Sequence, residues 1–345
     1  MQDDLSQPAT CIGVAARAAV RLLEQRGVDP ARILRQAGLT YEAVFDENRI
    51  SASDQVTLLE LAANELKDDW IGLTLATEVD LRETGLLYYV SASATTLAEA
   101  VQRLDRYLAV ANDGLDLTVA KGEAYGVRIV YTGIPRHLDF QQAELLALYF
   151  VRLCRQLLGR SVTPLRVSFM HHREGDLSPA RTAFGCLPEF GAPFDEVSLP
   201  NALLEEKVVV ADPYLGEIMI KACEEAMAGR PTNVSRLRTR VENAIAPLLP
   251  HAEARSDRVA RQLGISRRTL SRRLKEEGTT FDQILDGLRR DLAVRYLEDP
   301  RMPISRIAWL LGFHQPSAFS HACRRWLNQS PMAHRRQILE RRAVQ

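Results

Sequence analysis

The sequence lacks the motifs that mark common enzyme classes. It has no Gly-x-Ser-x-Gly elbow, no Walker phosphate loop, no His-Glu-x-x-His pair and no glycine fingerprint of a dinucleotide site. Its acidic pairs, such as Glu205-Glu206, have the spacing of a helix surface rather than of a two-metal centre. We therefore expect no enzyme activity and no cofactor, with an enzyme fused to a DNA-binding domain as a remote alternative.

Cysteine is also scarce. The five cysteines among 345 residues lie far apart, without a Cys-x-x-Cys pair. This pattern fits neither a zinc site nor a small disulfide scaffold, so we expect reduced and mostly buried thiols. His171 and His172 lack a third ligand at a suitable spacing, and we predict a strand end there and no metal.

Long apolar runs are missing as well. No stretch reaches the roughly 18 apolar residues of a membrane span. The first ten residues, MQDDLSQPAT, lack the basic and then apolar pattern of a signal peptide. We therefore expect a cytoplasmic protein that does not bind membranes.

Positive charge is distributed unevenly along the chain. From residue 232 onward there are 22 Lys and Arg against 11 Asp and Glu, and Lys275 is the one lysine among them. Since the whole chain has 44 of each sign, the preceding part has 22 basic and 33 acidic residues. An arginine-rich end on an acidic body indicates nucleic acid binding, although a solvated helix surface has a similar composition.

The length favours two domains, because a single domain has roughly 100–200 residues. Apolar residues at three- and four-residue spacing predict helices over the first 110 residues, and alternation at 115–120 and 125–131 predicts a hairpin. A long apolar helix is predicted at 140–158, with further strands at 165–170 and 194–199. The predicted fold is an α+β regulatory domain at 1–231, mostly helical with a small sheet, followed by an all-α domain at 232–345.

One pattern occurs twice in the second domain. Five residues of the first copy match five of the second at an offset of 48: Val259, Ala260, Leu263, Gly264 and Ile265 correspond to Ile307, Ala308, Leu311, Gly312 and Phe313. A glycine at a sharp turn, with an apolar residue after it and a small alanine before it, is typical of a helix-turn-helix. Any two helices that meet at a glycine can imitate one copy, but the repetition and the local positive charge favour a DNA-binding domain.

The second helix of each copy has an outward face that could contact DNA. The predicted contacts are Arg267, Arg268, Ser271, Arg272 and Lys275 in the first copy, and Gln315, Ser317, Ser320, His321, Arg324 and Arg325 in the second. Such side chains reach base edges and phosphates in a major groove. Between the copies, a helix over 281–297 would be about 25 Å long. A spacer of that size could hold the two units near the ~34 Å repeat of B-DNA.

The stretch 303–331 resembles the signature of the AraC/XylS family of transcription regulators. The shared features are Ile307-Ala308, Gly312-Phe313, Ser317-Ala318-Phe319, the basic pair Arg324-Arg325, and Ser330-Pro331. The region before it resembles the arabinose-binding type of N-terminal domain found in ornithine-utilisation-like regulators, through residues 85–101, Arg106-Tyr107 and 167–172.

The resemblance implies a sequence-specific transcription regulator whose partners are double-stranded DNA and RNA polymerase. It also implies an N-terminal domain that senses an unidentified small molecule, forms a homodimer, or does both. In relatives, base-facing positions correspond to Arg268, Ser271, Arg272, Ser317, Ser320 and His321. A constitutive or architectural DNA-binding protein without an effector is the alternative.

This chain departs from the family pattern in its second copy. Cys323, Asn328 and His334 stand where the family usually has Phe, Gly and an aromatic residue. Asn tolerates the left-handed conformation expected at that position. Pro316 occupies a reading position without a donor, so we expect the second unit to recognise DNA shape or phosphate more than sequence.

Candidate effector contacts are polar or aromatic side chains within apolar runs of the first domain. They are Trp70, Tyr88, Tyr89, Arg106, Tyr107 and His171. For each of them, packing in the core or at an interface is the alternative interpretation.

Overall fold

The computed structural model describes residues 9–46, 49–131, 139–228, 237–250 and 252–343. The chain divides into two compact units, Met1–Arg236 and Leu237–Gln345. The predicted boundary between residues 231 and 232 falls within 229–236, outside the described residues.

The first unit combines helices with a small sheet, as predicted. Its helices are α1 (Val14–Gln25), α2 (Ala31–Gln36), α3 (Tyr41–Phe45), α4 (Ala52–Leu66), α5 (Ile71–Glu78), α6 (Leu86–Ala92), α7 (Leu97–Ala111), α8 (Phe140–Leu158), α9 (Ser178–Phe184) and α10 (Pro213–Ala228), with short 3-10 helices at Leu81–Thr84 and Asn201–Glu205. Side-chain caps determine where several of these helices begin. The Thr96 hydroxyl, for example, accepts the Glu99 N–H at the beginning of α7.

The strands form a two-stranded and a five-stranded sheet. They are β1 (Thr10–Cys11), β2 (Ile50–Ser51), β3 (Leu115–Lys121), β4 (Ala124–Tyr131), β5 (Arg166–Phe169), β6 (Glu189–Phe190) and β7 (Glu196–Pro200). The five-stranded sheet has the order β3-β4-β7-β5-β6, in which the β5-β6 pair alone is parallel. Leu117 pairs with Ile129 in the predicted hairpin.

Helix α8 lies at the centre of the first unit, as its long apolar run predicts. Val151, Leu153 and Cys154 are at most 3% exposed. The helix ends at Gly159, which adopts a left-handed conformation that glycine permits. The core of this unit therefore forms around a helix that is apolar on most of its circumference.

The second unit is all-helical, as predicted. It contains α11 (Leu237–Ile245), a 3-10 turn (Ala246–Leu248), α12 (Ser256–Gln262), α13 (Arg267–Glu276), α14 (Phe281–Leu297), α15 (Ile304–Leu310), α16 (Pro316–Leu327) and α17 (Pro331–Ala343). Its buried residues form one continuous apolar cluster that includes Val259, Leu288 and Ile307 from three different helices. The unit therefore packs around a single core.

All five cysteines are free thiols, and all but the half-buried Cys186 are buried. Burial raises the pKa of Cys11 to about 11 and that of Cys154 to about 12. Among the described residues, no three His, Cys, Asp or Glu side chains group as a metal site would require. Every helix in the described ranges is too short or too polar to span a bilayer.

Candidate functional site

Helices α12 and α13 form the first helix-turn-helix. Gly264 makes the turn between them with φ of 69°. The Ser266 hydroxyl then accepts the Thr269 N–H at 3.1 Å and begins α13. Leu270 and Leu274 are buried on the inner side of α13. The opposite side of α13 is therefore available to solvent.

Helices α15 and α16 form the second helix-turn-helix. Gly312 makes its turn with φ of 74°. The Phe313 ring lies 5.8 Å from that of Phe319 and 6.1 Å from that of Trp326, measured between centroids. Pro316 is the first residue of α16, where its missing N–H has no cost. Both copies of the sequence repeat thus adopt the same local structure.

Helix α14 connects the two helix-turn-helix units and contacts the second. The Arg289 guanidinium donates to the carbonyl oxygen of Leu311 at 2.9 Å and lies over the Phe313 ring at 4.9 Å. The Asp286 carboxylate pairs with Arg325 and accepts the indole N–H of Trp326 at 2.9 Å. These contacts hold the turn and the last turns of α16 against α14.

The predicted DNA contacts lie on the outer sides of α13 and α16. All are exposed except Ser320, which is half-buried. Arg272 pairs with Glu276 at 2.6 Å, within α13. By contrast, Arg267, Arg268 and Lys275 form no ion pair with other described residues.

Two of the departures from the family pattern, Asn328 and Cys323, fit the local structure. Asn328 ends α16 with φ of 56°, the left-handed conformation expected there. Cys323 is fully buried and its pKa is raised to about 11 by burial. Arg335 donates to the carbonyl oxygens of Leu297 and Met302, and so ties α17 to the end of α14.

Two of the six candidate effector contacts lie near a buried ion cluster in the first unit. The Nε2 atom of His171 lies 2.8 Å from the Glu144 carboxylate, which also accepts two hydrogen bonds from Arg173. The Arg173 guanidinium lies 4.5 Å above the Trp70 ring. Burial raises the pKa of Glu144, and the charge of Arg173 opposes that shift.

The other four candidates pair with neighbouring side chains. The Tyr88 hydroxyl accepts a hydrogen bond from Gln156 at 2.7 Å, and Tyr89 packs edge-on against Tyr88 with a centroid separation of 5.2 Å. Arg106 pairs with Glu224 at 3.0 Å and lies over the ring of Tyr107. Tyr88 and Tyr107 are buried, whereas Tyr89 and the side chain of Arg106 are exposed.

The first unit also contains a cavity of about 120 Å³. The described residues that line it, which include none of the six candidates, are mainly apolar: Cys11, Ile12, Gly13, Val14, Ala15, Gln55, Ala76, Val79, Thr84, Leu87, Leu104, Leu108, Ala111, Asn112, Leu115, Leu117, Val127, Ile129, Gln142, Leu145, Leu146, Tyr149, Phe150 and Val197. Sequence reasoning missed this site. The available signal was Gln142, an amide within the apolar run of α8.

Two helix-turn-helix units on one core, each with a polar or basic outer helix, define a DNA-binding protein. A family model described as the arabinose-binding domain of AraC transcription regulators matches residues 27–208, and a helix-turn-helix domain model matches residues 259–337. The chain therefore belongs to the AraC family of DNA-binding transcription regulators, and it is not an enzyme.

Two relatives agree with this assignment by sequence. The HTH-type transcriptional regulator VirS of Mycobacterium tuberculosis is 31% identical over 320 residues, 91% of this chain and 93% of VirS. The ornithine utilization regulator of Pseudomonas aeruginosa is 28% identical and covers 97% of this chain, with 99% of its own length matched. The crystal structure of the transcriptional regulator CdpR from Pseudomonas aeruginosa aligns with 97% of this chain and 99% of its own, at 24% identity and a TM-score of 0.46.

Proposed function

We propose that α13 and α16 enter two successive major grooves and that α13 supplies most of the base recognition. The observation that carries this proposal is the position of the predicted contact residues on the outer sides of two helices that share one core. Helix α13 offers Arg268 and Arg272, which suit guanine, whereas α16 begins with Pro316 and offers fewer donors.

Two arginines separate base recognition from phosphate contact. The variant Arg272→Ala is expected to lose about 1–3 kcal/mol of affinity at the cognate site and to relax base preference at one position. The variant Arg325→Ala is expected to weaken binding to all sequences equally and to lower the salt slope by about 0.9. Affinity is measured by fluorescence anisotropy on the cognate duplex and on its single-base variants, at several salt concentrations.

Arg32→Ala provides the matched control, because Arg32 is also exposed and paired with a carboxylate but lies in the first unit. It is expected to leave both the base preference and the salt slope unchanged. An unaltered preference in Arg272→Ala, or a loss confined to one sequence in Arg325→Ala, would contradict these assignments.

We further propose that the first unit senses a small molecule and thereby changes DNA binding. The cavity supports this role, since a ligand that fits one state better than another shifts the balance between them. The name of the Pseudomonas relative mentions ornithine, but the described lining has no acidic side chain to pair with an ammonium group. We therefore do not propose ornithine for this cavity.

Screening a metabolite library for changes in DNA affinity and in thermal stability of the full chain tests the sensing function. At least one compound is expected to alter both, because a ligand that binds the folded state raises its stability. If the whole library leaves both quantities unchanged, the architectural alternative replaces the sensor.

We also propose contact with RNA polymerase at the promoter and self-association as a homodimer, by resemblance to other AraC-family regulators. Sedimentation of the purified chain tests the dimer. Transcription from the cognate promoter in a purified system tests the polymerase contact. A monomer at all concentrations would exclude the homodimer. Transcription that is the same with and without the regulator would exclude the contact with RNA polymerase.

A further inference from the structure

A chain of hydrogen bonds fixes the orientation of two amides at the cavity. Ala16 lies in the first turn of α1, where backbone N–H groups lack a helical acceptor, and it donates to the side-chain oxygen of Gln55 at 3.3 Å. The Gln55 side-chain nitrogen then donates to the side-chain oxygen of Gln142 at 3.0 Å. Since the first donor is a backbone N–H, the oxygen and nitrogen positions of both amides are determined.

This arrangement leaves a donor without an acceptor. The Nε2 atom of Gln142 is buried and has no hydrogen-bond partner among the described residues. Gln142 is 1% exposed and Gln55 is 6% exposed, and both line the cavity. Because a buried donor without an acceptor is costly, an oxygen atom from a bound molecule would stabilise this site.

Three other polar side chains of the lining form hydrogen bonds within the protein. The Tyr149 hydroxyl donates to the Leu81 carbonyl oxygen at 3.0 Å and lies 2.8 Å from the Thr84 hydroxyl. The Asn112 side-chain oxygen accepts the Gly114 N–H at 3.0 Å. A buried water would need about two to four polar partners, and Gln142 offers a single amide nitrogen with two N–H groups. A larger molecule with a single acceptor fits this lining better.

Charge and volume restrict the ligand further. Among the described lining residues none is Asp, Glu, Lys, Arg or His. An ionised ligand would therefore be desolvated without a partner of opposite charge. The volume of about 120 Å³ is somewhat smaller than a cavity of about 150 Å³ that binds benzene.

We propose that this cavity binds a small, uncharged and mainly apolar molecule, no larger than benzene, whose carbonyl oxygen accepts a hydrogen bond from Gln142. The proposal rests on the sensing function proposed above and names the chemical class of its ligand. It also assigns to Gln142 the discrimination between a carbonyl compound and a hydrocarbon of equal shape.

Three probes with as many non-hydrogen atoms as benzene test this class in the full chain. They are cyclopentanone, methylenecyclopentane, in which carbon replaces the carbonyl oxygen, and the anion cyclopropanecarboxylate. Binding is measured by calorimetry and by ligand-observed NMR. Cyclopentanone is expected to bind about tenfold more tightly than methylenecyclopentane, the ratio that one neutral hydrogen bond supplies. Cyclopropanecarboxylate is expected not to bind, because the described lining has no positively charged side chain.

Two variants locate the binding. The double variant Gln55→Leu/Gln142→Leu removes both amides, because Gln142→Leu alone would leave the Gln55 nitrogen without its acceptor. It is expected to reduce the tenfold preference to within about twofold. Leu117→Phe places a larger side chain at the lining and is expected to abolish binding of both neutral probes. Gln36→Leu, at an exposed position of α2, is the control and should keep the wild-type preference.

The outcomes separate this inference from the sensing function. Equal binding of the two neutral probes, a preference that survives the double variant, tight binding of the anion, or no binding of any probe would each overturn the ligand class. The metabolite screen can still find an effector in those cases, and the sensing function would then hold with a different ligand. If the predicted preference appears but no compound alters DNA affinity, the ligand class stands and the sensing function fails.

Discussion

At the scale of single residues, the two turn glycines have the same backbone conformation in different surroundings. Gly264 and Gly312 both have positive φ, of 69° and 74°. A Cβ atom added at Gly264 would meet no atom within 4 Å, whereas one at Gly312 would lie 2.5 Å from the Leu249 carbonyl oxygen. The second turn therefore needs glycine for space as well as for conformation.

We expect Gly264→Ala to destabilise the second unit by about 1–2 kcal/mol, the cost of a left-handed alanine. Gly312→Ala should cost roughly 1–3 kcal/mol more, because the added methyl group displaces backbone. Urea unfolding of the full chain, followed by hydrogen exchange of peptides from the second unit, measures both changes. Equal losses of stability in the two variants would show that the close approach to Leu249 does not affect the free energy of unfolding.

The turn residues could be predicted from the sequence because their signal is local. Glycine, the apolar residue after it and the small alanine before it lie within six positions of each other in each copy. The contacts of Asp286 with Arg325 and Trp326 could not be predicted, since they join residues 39 and 40 positions apart. A charged residue beside an apolar stripe, such as Asp286, indicates a partner within the domain, but the sequence does not identify that partner.

At the scale of elements, α14 carries a glycine that its geometry does not require. Gly287 lies in the middle of the helix, and an added Cβ would meet no atom within 4 Å. Glycine within a helix costs about 0.5–1 kcal/mol relative to alanine. We therefore expect Gly287→Ala to stabilise the second unit by that amount, as measured by its urea midpoint, while the DNA affinity remains unchanged.

The same substitution in α5 provides the control. An added Cβ at Gly72 would lie 2.1 Å from the Gln141 carbonyl oxygen, so Gly72→Ala should destabilise the first unit. A stabilising effect in both variants would indicate that helix propensity alone governs these positions. A destabilising effect of Gly287→Ala would contradict the open space beside α14.

The elements that could be predicted from the sequence are those in which apolar residues recur at regular spacing. The hairpin of β3 and β4 and the long helix α8 agree with their predicted ranges within one residue. By contrast, β1 and β6 have two residues each, too few to show an alternating pattern. The cavity could not be predicted from the sequence either, because its lining comes from segments as distant as Cys11 and Val197. Packing, rather than any local pattern, determines that combination.

At the scale of the whole molecule, the two helix-turn-helix units share one apolar core with α14 between them. Leu270 of the first helix-turn-helix and Phe319 of the second belong to the same cluster as Leu288 of α14. A continuous core of this kind resists independent movement of the two helix-turn-helix units. The separation between the two recognition helices should therefore be fixed, and the DNA sites that they contact should have a fixed spacing.

A map of base preference tests this spacing directly. We expect Arg272→Ala to relax preference in one half of the operator and His321→Ala to do so in the other half, with the two centres about 10 base pairs apart. The map is obtained by measuring the affinity of each variant for every single-base substitution of the cognate duplex. Inserting 5 base pairs between the halves should turn one half-site to the opposite side of the duplex. The affinity of the wild-type chain should then fall to that of a single helix-turn-helix. Undiminished affinity for the lengthened operator would mean that the units move independently, and the shared core around α14 would then not set the spacing.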